Sequence, residues 1–179
     1  VKAEALKEIQ STENVTDAQM GFVYTTKTYD DKVDETATVH VFDKENVSRE
    51  FNLRTRVGHK SISLTDDGVI INEKLAENLG VHIGDKITIE DVEGNPHEVN
   101  ITGITEMYVN HFVLMSRKYY EEVFGKDAGI NTVYLSTMGD EAAQKLLANQ
   151  ISTIQGVEGV TLYSGLLDNF YSMVKGLNG

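Results

Sequence analysis

Apolar and polar positions along this chain change rhythm three times. From Val1 to about Ile9, the residues Ala5, Leu6 and Ile9 fall at helical spacing, and the pattern then dissolves into the polar stretch Gln10 to Asp17. Phe22, Tyr24, Thr26 and Thr28 recur every second residue, Asp30 to Glu35 reads as a turn, and Thr36 to Phe42 is rich in β-branched residues. These two segments predict a hairpin. Phe51 to Val57 alternates once more and predicts a further strand.

After Gly58 the elements shorten. Asn72 is placed to cap a helix over Glu73–Leu79, with Leu75 and Leu79 buried together at i, i+4 and Gly80 ending the helix in the left-handed region. Val81 to Gly84 turns the chain into a strand over Lys86–Glu90, where Ile87 and Ile89 point one way. Gly94-Asn95-Pro96 makes the next turn, because Pro96 cannot donate to a central ladder. Val99–Thr105 and Tyr108–Met115 read as strands, and Ser116 caps a short helix that Gly125 stops. Four or five short strands with two brief helices imply a compact, partly closed sheet.

The last part lengthens again. Thr132–Leu135 reads as a strand and Gly139–Ile154 as a helix with Leu146, Leu147, Ile151 and Ile154 on one face. Gly159–Tyr163 is a strand, and Ser164–Leu177 is predicted to be a final amphipathic helix. This β-α-β-α run, joined to the opening helix and hairpin, suggests an open α/β sandwich built from both ends of the chain, with the middle segment inserted as a second lobe. The division expected is 1–60 with 127–179 against 61–126, in an α+β, two-lobed fold.

Charge supports a distinct middle. The 179 residues carry sixteen Lys and Arg against twenty-eight Asp and Glu, a net charge of −12, and 61–126 alone holds twelve acids and five bases. A field of that sign opposes nucleic acid and anionic lipid. No run approaches the roughly 18 to 20 apolar residues of a membrane helix. The chain starts at Val1 with neither Met nor a basic and apolar leader, which reads as a fragment of something longer without a signal peptide. Zero cysteines remove disulfides and thiolate chemistry.

Candidate chemistry is sparse. His40, His59, His82, His97 and His111 have no helical His–His or His–Glu spacing, and no HExxH or Cys/His cluster occurs, so no metal is expected. Asp30-Asp31 and Asp66-Asp67-Gly68 resemble fragments of calcium loops but lack the closing Glu, and read as solvated turns. Gly80–Gly84 has no Lys-Ser/Thr of a phosphate loop, and Ser61, Ser63 and Ser116 lack the Gly-x-Ser-x-Gly setting of a hydrolase. No cofactor and no catalytic residue is predicted. Tyr108, Asn110, His111 and Phe112 are a candidate partner or ligand surface for a peptide or lipid moiety; their plain reading is packing at the edge of a small β lobe. Leu167, Phe170, Tyr171, Val174 and Leu177 form a stripe on the final helix, suited either to a stalk or partner contact or to burial.

GVIINEKLAENLGVHIGDKITI at Gly68–Ile89 and VNHFVLMSRKYYEEVFG at Val109–Gly125 resemble segments of the extracellular, MacB-like core domain of FtsX-like ABC transporter permeases. DNFYSMVKGLN at Asp168–Asn178 is similar to the helix that leads into the next transmembrane segment of that family. The resemblance implies a porter-like lobe from the outer segments and an inserted, Sabre-like lobe, with hinges near Gly58 and Asp127. It implies a non-enzymatic domain on the extracytoplasmic side of a bacterial membrane. The expected partners are the transmembrane part of the same permease, indirectly a cytoplasmic ATPase subunit, and an extracellular peptide, lipid or cell-wall protein. A free-standing secreted binding module is the alternative, and an enzyme would need a cleft with perturbed carboxylates or a His–carboxylate pair.

Overall fold

The hairpin over 15–42 contributes to two separate groups of strands. In the computed structural model, which describes residues 2–13, 15–46, 53–106, 110–137, 140–164 and 170–175, the chain divides into two compact units. One comprises 1–22, 49–52 and 129–179, the other 23–48 and 53–128.

The first unit begins with α1 (Lys2–Ser11) and the first half of β1 (Val15–Tyr29). It continues with β7 (Thr132–Thr137), α4 (Glu141–Ser152), β8 (Gly159–Ser164) and β9 (Phe170–Lys175). β1 pairs antiparallel with β7 from Val15↔Thr137 to Gly21↔Thr132, and β9 lies antiparallel between β7 and β8. Ala5 and Ile9 of α1 meet Val133, Leu135, Leu147 and Ile151 in one buried cluster, which is the apolar stripe of each helix laid on the sheet.

Two expectations fail in this unit. The stretch predicted as a final helix runs instead as β9, pairing Tyr171 with Tyr163 and with Ser136, and Val174 with Val133 and Val160; residues 165–169 and 176–179 lie outside the described residues. FYSMV is a short apolar run whose spacing fits a helix and a strand alike, and the ladders offered on both sides decide for the strand. On α4, Leu147 and Ile151 are buried but Leu146 is 71% exposed. The buried face follows 144, 147 and 151, and Leu146 points away from it.

The second unit holds the rest of β1, then β2 (Asp34–Phe42), β3 (Val69–Asn72), α2 (Glu73–Leu79), β4 (Lys86–Glu90), β5 (Pro96–Thr105), β6 (Phe112–Ser116) and α3 (Arg117–Phe124). Its pairings run β1-β2-β6-β3-β5-β4 and return to β1, where Thr28 meets Ile89. β2 with β6 and β3 with β5 are parallel, whereas β3 with β6 and β4 with β5 are antiparallel. A ring of strands leaves no edge to be protected. Val39, Val41, Ile70, Leu75, Ile87, Ile89, Ile101 and Leu114 of this unit are each no more than 1% exposed. The hairpin is what closes the ring, so contacts group 23–48 and 53–60 with this unit, unlike the sequence division at residue 60.

Local signals account for the ends of its helices. Gly80 (φ 71°) and Gly125 (φ 72°) end α2 and α3 in the left-handed region, and the Ser116 hydroxyl accepts from the Tyr119 amide at 3.0 Å. Asn72 occupies the cap position of α2 but its side chain makes no capping bond. Its Oδ1 accepts instead from the buried Phe112 amide at 3.0 Å, a group that otherwise loses water without compensation. The strand expected over 51–57 is reduced to a single bridge between Arg54 and Ser61; 51 and 52 lie outside the described residues.

Candidate functional site

The turn into β6 fixes the predicted surface. The Thr38 amide donates to the carbonyl of His111 at 2.9 Å, which sets β2 and β6 in register from Thr38↔Phe112 onward. This brings the His111 ring to Glu35 at the start of β2, with Nε2 3.3 Å from Oε2, and to the side-chain amide of Asn78 on α2 at 3.4 Å. One nitrogen serves both neighbours: with its proton it donates to Glu35, and without it it accepts from Asn78. Asn110 beside it is exposed. Phe112 is 1% exposed and packs its ring on His40 at 4.8 Å, so it belongs to the core and offers nothing to a ligand. Tyr108 lies outside the described residues. The patch is therefore polar, made by Asn110, His111, Glu35 and Asn78, of which the last two carried no signal in the sequence.

A second His–carboxylate pair is more deeply set. Asp91 opens the β4–β5 turn and is 4% exposed. Its Oδ1 accepts from the amides of Glu93 and Asn95, each at 2.9 Å, and its Oδ2 takes His97 Nε2 at 2.9 Å and Lys126 Nζ at 3.3 Å. Burial by itself raises a carboxyl, but the His97 hydrogen bond, the two amides and Lys126 outweigh it and hold Asp91 well below the ordinary carboxylate range. His97 stacks on Phe124, which in turn meets Tyr120 at 4.4 Å. Tyr24 donates to the Glu90 carbonyl at 3.0 Å, and burial, then Tyr120 and Asp91, push its phenol far above the usual value. With one carboxylate accepting four hydrogen bonds, this network ties the β4–β5 turn to the end of α3. The sequence clue was Asp91 three residues before Gly94 in a tight turn, the spacing of a side chain that bonds its own loop.

Phe170, Tyr171 and Val174 sit on β9. Leu167 and Leu177 lie outside the described residues. Gly58 (φ 81°) is in the loop between Arg54 and Ser61, and Asp127 faces Arg117 at 3.9 Å. Among the described residues no group of three or more His, Cys, Asp or Glu is placed to hold a metal ion. A shallow hollow of about 400 Å³ at the tip of the β1–β2 hairpin is lined by Lys27, Tyr29, Asp30, Lys32, Val33, Asp34 and Glu90. Both charge signs meet there, and the hollow is open to solvent.

No known protein-family profile matches the sequence, and no curated protein does. Solved structures do match in fold. The extracellular domain of the noncanonic ABC-type transporter YknZ from Gram-positive bacteria superposes with a TM-score of 0.52 at 15% identity, over 83% of this chain and 81% of that one. The periplasmic region of MacB from Actinobacillus actinomycetemcomitans gives 0.50 at 9% identity, over 98% of this chain and 79% of that one. The chain has the mixed α+β fold of MacB-like extracellular domains of ABC transporters. Among the described residues no helix is long and apolar enough to cross a membrane.

Proposed function

We propose that this chain is a non-catalytic, extracytoplasmic domain of an ABC transporter permease of the FtsX and MacB kind. The observation that carries the reading is the likeness of fold to the extracellular domain of YknZ and the periplasmic region of MacB, extending over most of this chain. In this reading the first unit is the porter-like lobe and the closed strand ring the inserted, Sabre-like lobe. A separate cytoplasmic ATPase hydrolyses ATP, the membrane helices of the same permease convey the change, and this domain moves as a lever or shields a substrate path outside the membrane. The Asn110–His111 patch then serves an extracellular peptide, lipid or cell-wall protein through hydrogen bonds.

The test is the hydropathy of the parent reading frame on either side of these residues. Apolar segments of about 20 residues flanking the domain support a membrane-tethered loop. A secretory leader with no apolar segment beyond the domain overturns it in favour of a secreted binding module. Calorimetry adds a second check: the purified domain is expected neither to bind nor to hydrolyse ATP, and stoichiometric nucleotide binding sinks the assignment.

A further inference from the structure

The second unit closes its strands into a ring, but the first unit ends on an open strand. Among the described residues β8 pairs with β9 alone, residue for residue from Gly159↔Lys175 to Ser164↔Phe170. The other side of β8 is therefore a row of amides and carbonyls without a ladder. The space beside it is open where the strand begins: at Gly159 no atom beyond its chain neighbours lies within 4 Å of where a Cβ would stand.

Among the described residues nothing blunts this edge. GVTLYS has no Pro and no charged residue, and its ladder with β9 runs without a bulge. β1, at the far end of the β1-β7-β9-β8 order, carries Asp17 and a shift in register between Val15 and Asp17, two of the devices that keep a strand edge from pairing.

Charge indicates which occupant the edge suits. Residues 140–175 carry four acids and two bases, and 159–167 carry no charge at all, in a chain of net charge −12. A basic polypeptide is drawn instead to 61–126, with its twelve acids and five bases. Neutrality at a contact matters most toward a partner of the same sign, because it removes the repulsion acting within a Debye length of about 8 Å. A second copy of this chain is such a partner, and it brings an equal, uncharged strand edge with it.

We propose that β8 pairs antiparallel with β8 of a second copy, joining the two sheets across a two-fold axis. In an antiparallel ladder, residues directly opposite each other turn their amides and carbonyls the same way. The axis therefore passes through a residue and not between two. The longest overlap sets it at Thr161, with Val160 opposite Leu162 of the copy, or at Leu162, with Thr161 opposite Tyr163. A strand of six residues buries little area, so the pairing belongs with weak, transient contacts. It rests on β8 alone and holds or fails independently of the permease reading.

The experiment combines sedimentation velocity with disulfide trapping, since the chain has no cysteine of its own. The unmodified chain is expected to pass from monomer to dimer between about 20 µM and about 1 mM. Dimer should increase as salt rises from about 50 to about 300 mM, because screening weakens the repulsion between two −12 chains and spares the backbone hydrogen bonds. Residues on the axis stand about 4.5 to 5.5 Å apart at Cα, within disulfide reach. Either Thr161→Cys or Leu162→Cys should thus link at least about tenfold faster than Val57→Cys, whose native side chain is 86% exposed. Circular dichroism verifies that the variants fold, and amide exchange of the unmodified chain reports the same edge without any substitution. The proposal is overturned by a chain that stays monomeric throughout, by linking at 161 and 162 no faster than at 57, or by concentration-dependent protection outside 159–164. An unrelated uncharged peptide that protects the 159–164 amides as well as a second copy does also overturns it, in favour of a site for any extended segment.

Discussion

His97 and Asp91 lie 2.9 Å apart, Nε2 to Oδ2, with the imidazole stacked on Phe124 at 4.3 Å between ring centres and 12° between planes. The carboxylate belongs to the β4–β5 turn and the phenyl ring to the last turn of α3, so one side chain is gripped by two elements. Removing the carboxylate leaves the His97 and Lys126 donors and two turn amides facing a void. Asp91→Ala is expected to lower the unfolding free energy in urea by about 3 kcal/mol; a loss under about 0.5 kcal/mol contradicts the account.

The same pair makes an acid-side prediction. The native Asp91 carboxyl lies below its unfolded value of about 3.9, so its contribution is complete above that value and is lost as pH falls through the native one. The stability gap between the wild type and Asp91→Ala should therefore narrow below about pH 4. A gap that widens on acidification contradicts this sign.

On the alkaline side the sign reverses. Burial raises the phenols of Tyr24 and Tyr120, so the stability tied to their protonated forms is present below the unfolded value near 10 and is lost as pH rises through the native one. Both phenols are expected to ionise only as the chain unfolds. Absorbance titration followed alongside circular dichroism checks this, with Tyr24→Phe removing one of the late transitions.

On α4, two apolar residues five apart should behave oppositely. Ile151 is fully buried in the cluster with Ala5 and Ile9, and Ile151→Ala is expected to cost about 3 kcal/mol. Leu146→Ala should stay within about 0.5 kcal/mol. Equal losses would place Leu146 back on the packed face.

Asn72 offers a contrast between capping and satisfying a buried donor. Asn72→Ala strands the Phe112 amide and is expected to cost about 2 kcal/mol. Asn72→Ser, a good cap with too short a side chain to reach that amide, should recover little of the loss if the bond to Phe112 is the role that matters. Full recovery would make it a cap.

Helix stops, turns and the short strands of the middle segment were legible because their causes are local. Gly80, Gly125 and Ser116 act through their own φ or hydroxyl, and Ile87 and Ile89 through alternation. What escaped depends on partners distant in sequence. β9 is a strand because β7 and β8 flank it, Asn72 is diverted by an amide forty residues on, and the ring of strands closes through a hairpin that precedes the middle segment. The site was half legible for the same reason: Asn110 and His111 could be named from the sequence, but Glu35 and Asn78 reach His111 only through the parallel pairing of β2 with β6 and the placement of α2. Asp91 carried no mark of its role, since neither His97 nor Lys126 stands at a spacing that announces a shared carboxylate.

The cluster that joins Ala5 and Ile9 to Leu147 and Ile151 has a consequence for synthesis. The strand ring is complete once residue 128 has been made, and its parts form one stretch of nascent chain apart from 49–52. α1 is made first but finds its partners last. At about 5 to 20 residues per second it waits roughly seven to thirty seconds with an apolar stripe uncovered. The segment carrying α1 thus keeps its apolar stripe uncovered until Leu147 and Ile151 have followed it, and truncations ending near residue 130 should leave that stripe without its partners.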